Sequence, residues 1–136
     1  MLANEHGIHW KSTCLFDENL RVDLPPDQIE RICHNLVSNA VKHTPREGLV
    51  QFLVDYKESN LIVVVEDSGP GISEPDQKLI FERFYQSSHG KQIPHSSGIG
   101  LAYVKEVANA LNGSIDVESK LGFGSKFTFI TPAELS

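Results

Sequence analysis

The order of apolar periodicities along this chain predicts a two-layer α/β (α+β) sandwich, a mixed and mostly antiparallel sheet packed on one face by about three helices. Three observations carry that reading. Two stretches, 29–41 and 101–111, repeat apolar residues at helical spacing. Two pairs of short apolar runs lie a hairpin's distance apart, 49–56 with 61–67 and 115–118 with 126–131. The elements follow in the order strands, helix, hairpin, helix, loop, helix, hairpin. At 136 residues, with no linker-like boundary, residues 1–136 are read as a single domain large enough for a real core.

Taken in order, Ile8 to Phe16 reads as a strand and Arg21 to Leu24 as a short second one, ended by Pro25-Pro26. Asp27 is placed to cap a long helix, in which Ile29, Ile32, Cys33, Leu36, Val37, Ala40 and Val41 recur until Pro45 stops it. Leu49 to Tyr56 and Leu61 to Asp67, joined by Lys57-Glu58-Ser59-Asn60, are expected to pair antiparallel. After Pro75, a short helix through Leu79, Ile80 and Phe81 leads into a polar loop from Gln86 to Ser97. Leu101, Val104, Val107, Ala108 and Leu111 mark a second long helix, closed by Asn112-Gly113 as a C-cap. Ile115 to Glu118 and Lys126 to Thr131 alternate as strands around Gly122-Phe123-Gly124.

Composition narrows the function classes. Hydrophobic residues are 40% and charged residues 22%, and no apolar run approaches the roughly 20 residues of a membrane-spanning helix. Met1 to Trp10 has neither the basic start nor the apolar stretch of a signal peptide. With 12 Lys+Arg against 18 Asp+Glu, the net charge of -6 argues against a general grip on nucleic-acid phosphates. Cys14 and Cys33 form no framework or CxxC pair and read as reduced core residues, so a cytoplasmic compartment is expected.

Chemistry is concentrated at a few points. On the first long helix Asn35, Asn39 and Lys42 share a narrow sector beside the apolar stripe, with His43 on its edge. Asn is a poor helix former, and amide oxygens can complete the octahedral shell of Mg²⁺ when a polyphosphate supplies the negative charge, with Lys balancing the remainder. At the end of an apolar strand, Asp67-Ser68-Gly69-Pro70-Gly71 places a carboxylate on a turn whose glycines permit close backbone approach. Such a carboxylate can accept hydrogen bonds from an amino-substituted ring such as adenine. Ser96-Ser97-Gly98-Ile99-Gly100-Leu101 opens the second long helix, where free N–H groups and the helix dipole favour phosphate. Neither the P-loop pattern nor the dinucleotide-binding glycine pattern is present. Phe81 and Phe84, beside Tyr85, read first as core and as anchors of the loop, and His89 and His95 lack metal-ligand spacing with the cysteines.

Together these segments resemble the ATP-binding catalytic domain of sensor histidine kinases, a branch of the gyrase, Hsp90, histidine kinase and MutL superfamily. His34-Asn35-Leu36-Val37-Ser38-Asn39-Ala40-Val41-Lys42-His43-Thr44-Pro45 is similar to the N box, and Asp67-Ser68-Gly69-Pro70-Gly71 to the G1 box. Phe81-Glu82-Arg83-Phe84-Tyr85 is similar to the F box, Gly98-Ile99-Gly100-Leu101-Ala102 to the G2 box, and Gly122-Phe123-Gly124-Ser125 to the last hairpin turn. The resemblance spans about Ile8 to Pro132.

The resemblance implies a Bergerat-type fold with ATP between the helices, under a flexible lid formed by the loop from Gln86 to Ser97. It implies that Asn39 coordinates Mg²⁺ with help from Asn35, that Lys42 contacts phosphate, and that His43 lies beside the nucleotide. Asp67 would read the adenine amino group, Gly98 and Gly100 would give the lid its hinge and phosphate contacts, and Gly69, Gly71, Ile72, Phe84, Tyr85, Ile99, Leu101 and Thr128 would complete the ATP site. Ser96 stands where many members carry a glycine, and Gln86 where many carry an arginine.

Superfamily members that hydrolyse ATP or phosphorylate serine resemble one another in carrying Glu four residues before the metal-binding Asn. This chain has Asn35 there, which cannot act as a base. The implied reaction is transfer of the γ-phosphoryl group to a nucleophile that is already competent, a neutral imidazole. None of His6, His9, His34, His43, His89 or His95 lies in the family's phosphoacceptor context, so that histidine is expected on a separate dimerisation domain of a larger sensor kinase, with a response regulator downstream. The isolated domain is expected to be a monomer, without nucleic acid and without an acid/base residue of its own. The alternatives are a stand-alone serine/threonine kinase or ATPase of the same superfamily, and a degenerate nucleotide-binding regulatory module.

Overall fold

The computed structural model describes residues 7–17, 19–83 and 100–136. The period-2 runs become β1 (His9–Cys14), β2 (Leu49–Lys57), β3 (Asn60–Asp67), β4 (Ser114–Ser119) and β5 (Ser125–Pro132), in one sheet of order β1-β2-β3-β5-β4. The two hairpins and the β3–β5 pair are antiparallel. β1 runs parallel to β2, because the helix α1 (Pro26–His43) intervenes and carries the chain back to its starting side. In the β2–β3 turn Glu58 and Ser59 both take left-handed conformations, φ 53 and 62, the backbone twist that a two-residue hairpin needs.

The helices α1 and α3 (Gly100–Ala110), together with the single turn α2 (Glu74–Gln77), lie over one sheet face. Ile32, Leu36, Ala40 and Val41 of α1 and Ala102, Val104, Val107 and Ala108 of α3 are buried against it. The facing sheet residues are Val50, Leu61, Val63, Val65, Ile115, Phe127 and Phe129. The guanidinium of Arg31 stacks over the Tyr103 ring at 4.0 Å and ties α1 to α3. Phe129 is wholly buried, so Phe129→Ala should lower unfolding stability by about 3–5 kcal/mol in urea titration, with an unchanged transition midpoint contradicting this core.

Several local expectations are corrected. Asp27 does not cap α1; it sits in the first turn, with Pro25 as an N-cap that makes no side-chain bond. Pro26 takes the first helical position, where its fixed φ and missing N–H are suited, and so starts the helix two residues earlier than a cap at Asp27 implies. Residues 21–24 do not form a strand, and only a bridge from Val22 to Leu135 remains. The expected Asn112-Gly113 C-cap of α3 does form, with Asn112 as the left-handed residue, φ 62, and the Gly113 N–H donating to the Ala108 carbonyl at 2.8 Å. Gly113 is needed for space, since a Cβ there would run into the Ile130 carbonyl. Cys14 is exposed on the edge strand β1, while Cys33 is partly buried and its thiol is pushed up to about 11 by burial.

Candidate functional site

Strand alternation puts one carboxylate into the core layer. Leu61, Val63 and Val65 point toward the helices, and the next inward position on β3 is Asp67, 7% exposed. In the sheet register Val50, Asp67, Ser125 and Ser119 form one row across β2, β3, β5 and β4. Asp67 Oδ1 accepts the Gly69 N–H at 2.9 Å, and the Ser125 N–H also donates to the carboxyl. Burial holds its pKa above the ordinary value; these two bonds pull it back down, and Glu66 adds a further rise. Among the described residues no cation forms a salt bridge with it.

The turn that follows is wedged between two elements. A Cβ on Gly69 would sit 2.5 Å from the backbone oxygen of His43, so the turn presses on the last residue of α1. Gly71 has φ +81, and a Cβ there would collide with the Lys120 carbonyl of the β4–β5 connection. Ile72 N–H donates to Ser119 Oγ at 2.7 Å, and Gly122 N–H donates to the Pro70 carbonyl at 2.8 Å. A glycine-bearing turn, a dry carboxylate and the C-terminal turn of α1 are thereby held side by side.

Of the α1 residues singled out in the sequence, His43 meets this turn through its backbone. Asn35 and Asn39 are half-buried one turn apart, Lys42 is exposed, and His43 is half-buried. Asn35 Nδ2 donates to the Gly100 carbonyl at 3.3 Å, which joins α1 to the start of α3 and leaves its Oδ1 as an acceptor. Leu101 is half-buried and packs against the core, as does Ile72. Phe81 meets Phe127 edge-on at 6.3 Å, in keeping with the core reading. Phe84, Tyr85, Gly98 and Ile99, with Gln86, Ser96, His89 and His95, lie outside the described residues. Among the described residues no group of His, Cys, Asp and Glu is placed to hold a metal, so a cation here would rest on amide oxygens and a ligand's own charge.

Thr128 is not brought to the site. It pairs with Val64 and Asp116, one step out of phase with Phe127 and Phe129, and therefore belongs to the opposite face of the sheet. Ser125 occupies the row of Asp67 instead, buried to 7% exposure. Counting alternation back from the two phenylalanines finds it.

The family model of histidine kinase-, DNA gyrase B- and HSP90-like ATPases matches residues 25–135. The chain belongs to that family. Within it, this ATPase-family domain is 40% identical over 123 residues to the adaptive-response sensory kinase SasA of Synechococcus sp. (strain JA-2-3B'a(2-13)), covering 86% of this chain and 32% of the relative. It is also 40% identical over 116 residues to the sensor-like histidine kinase SenX3 of Mycobacterium tuberculosis (strain ATCC 25618 / H37Rv), covering 85% and 28%. Full-length ShkA in complex with AMPPNP superposes with a TM-score of 0.85 at 28% identity, over 99% of this chain and 27% of that one. The nucleotide-free catalytic domain of histidine kinase ThkA gives 0.80 at 25% identity, over 96% and 83%. The family domain thus has the sandwich of histidine kinase catalytic domains, and the chain spans about a third or less of the curated relatives it matches. Among the described residues no helix is long and apolar enough to cross a membrane.

Proposed function

We propose that residues 1–136 form the single catalytic domain of a two-component sensor histidine kinase, which binds Mg-ATP and donates the γ-phosphoryl group to a histidine on a separate dimerisation domain. The observation that carries this reading is Asp67: an ionisable carboxyl, 7% exposed and lacking a cationic partner among the described residues, is costly unless a ligand donor meets it. An adenine amino group is such a donor. Ser125, Gly69, Gly71 and Ile72 surround the same position, and membership in the ATPase family supports it.

In this reading Asn39, with Asn35, offers hard oxygen ligands to Mg²⁺, Lys42 faces phosphate, and His43 lies beside the nucleotide. Held there, Mg²⁺ would neutralise polyphosphate charge. Gly100 and Leu101 begin α3, whose free N–H groups suit an anion, and Phe84, Tyr85, Gly98 and Ile99 belong to the same site by resemblance to the family. In transfer, the bond from the γ-phosphorus to the bridging oxygen breaks with its electron pair left on ADP. A phosphorus–nitrogen bond forms to the neutral imidazole, which then loses its proton. Asn35 stands where a general base would be needed for water or serine, so the domain supplies position and charge neutralisation.

The acceptor lies on a partner in this reading, and a response regulator follows; the related kinase ThkA has been solved in complex with the response regulator protein TrrA. The isolated domain is a cytoplasmic monomer in the same proposal. Calorimetric titration with AMPPNP, with and without Mg²⁺, should give saturable, metal-dependent binding. Addition of a dimerisation domain from a relative such as SenX3 should then yield phosphohistidine from ATP. Rapid phosphate release by the domain alone would favour the ATPase alternative, and binding without either reaction the degenerate module.

A further inference from the structure

Gln77 reaches from α2 to two backbone carbonyls that belong to different elements. Its Nε2 donates to Ile72 O at 2.7 Å and to Ser119 O at 3.0 Å, using both amide hydrogens. The Ile72 N–H in turn donates to Ser119 Oγ at 2.7 Å, so both polar groups of that peptide position are held. Ser119 Oγ has one proton, and it goes to the Gly124 carbonyl at 2.7 Å. In the 3.0 Å contact between Ser119 Oγ and Ser125 Oγ the proton therefore comes from Ser125. Ser119 Oγ is then saturated, with one bond donated and two accepted, and Ser125 keeps only lone pairs to offer. Its own N–H is committed to the Asp67 carboxyl.

From this continuous path we infer that Gln77 and Ser119 are positioning residues, which fix the Asp67–Ile72 turn and orient Ser125 so that the pocket offers acceptors alone. The inference rests on the adenine reading of Asp67 given above. Two adjacent acceptors suit an exocyclic amino group and repel the carbonyl oxygen that guanine carries in its place, so the clamp sets base preference as well as affinity. Neither side chain needs to touch the nucleotide.

The test uses the full chain with AMPPNP and GMPPNP as probes, in the parent and in Gln77→Leu, Ser119→Ala and Ser119→Thr. Gln77→Leu and Ser119→Ala should each weaken AMPPNP binding by about 3–10-fold and narrow the adenine-over-guanine ratio, the scale of one lost hydrogen bond. Ser119→Thr keeps the hydroxyl and should restore both values to within about twofold. In a double-mutant cycle, Gln77→Leu should add little to the loss already caused by Asp67→Asn. A lowered melting temperature with an unchanged base ratio in both disruptive variants would reduce the network to a structural role and overturn the inference. If the parent binds no adenine nucleotide, the adenine reading itself fails. The clamp is then judged by amide exchange at Gly69, Gly71 and Ile72, which should accelerate in Gln77→Leu; unchanged exchange would overturn it too.

Discussion

Asp67→Asn should lower affinity for AMPPNP by about 10–100-fold, the scale of a hydrogen bond to a charged group lost from a dry site. The parent should prefer ATP over GTP, and the variant should lose most of that preference; equal affinities for the two nucleotides in the parent would remove Asp67 from base recognition. The same substitution should not unfold the domain, because the Asn oxygen can still accept the Gly69 N–H. Its effect on stability has a defined sign. Burial raises the carboxyl's pKa above the ordinary value of 3.8, so the stability that Asp67 contributes is fully present below that value and is lost as pH rises through the folded-state pKa. Asn does not titrate. The melting temperature of Asp67→Asn should therefore rise relative to that of the parent as pH increases above about 4, and a variant that falls further behind the parent over that rise would contradict the assignment.

Asn39→Ala should remove the Mg²⁺-dependent part of nucleotide binding, leaving an affinity near that of the parent in EDTA and a loss of at least about tenfold. Asn39 is half-buried on α1, beside the helix's buried stripe of Ile32, Leu36, Ala40 and Val41, and its replacement by alanine removes no apolar core side chain. Alanine is also the better helix former, and thermal stability should hold or rise slightly. Full metal-dependent affinity in the variant would take Asn39 out of the metal site. Asn35→Ala is predicted to behave differently: besides an amide oxygen it removes the bond from Nδ2 to the Gly100 carbonyl, so the start of α3 loosens with it.

Much of this architecture was legible because it rests on periodicity. The helical spacing of Ile29 to Val41 and of Leu101 to Leu111, and the alternation in the two hairpins, each report which side faces the core, whereas the sheet order, with β5 between β3 and β4, rests on pairings across long connections. Asp67 was legible as a carboxylate at a strand end on a glycine turn, and the structure adds that it continues the inward series of Leu61, Val63 and Val65. What escaped depends on contacts between distant segments. Gln77 bonds carbonyls 5 and 42 residues away, and nothing in a glutamine on a short polar helix signals that its partners are backbone. Thr128 was assigned by family resemblance, although the flanking Phe127 and Phe129 already force it outward. The lack of a pairing pattern says nothing of where Cys14 lies, and β1 has a neighbour on one side only, so the thiol is exposed on the edge strand.

The strand order also bears on how the domain is made. β5 is inserted between β3 and β4, so the sheet is joined into one piece only by residues 125–132. On a ribosome adding about 5–20 residues per second, β1, α1, β2 and β3 emerge well before that strand and must wait with one edge of β3 uncovered. Ser125, which completes the surroundings of Asp67, arrives in the same last step. In the proposed reading, nucleotide therefore meets a complete site only after this last strand has paired.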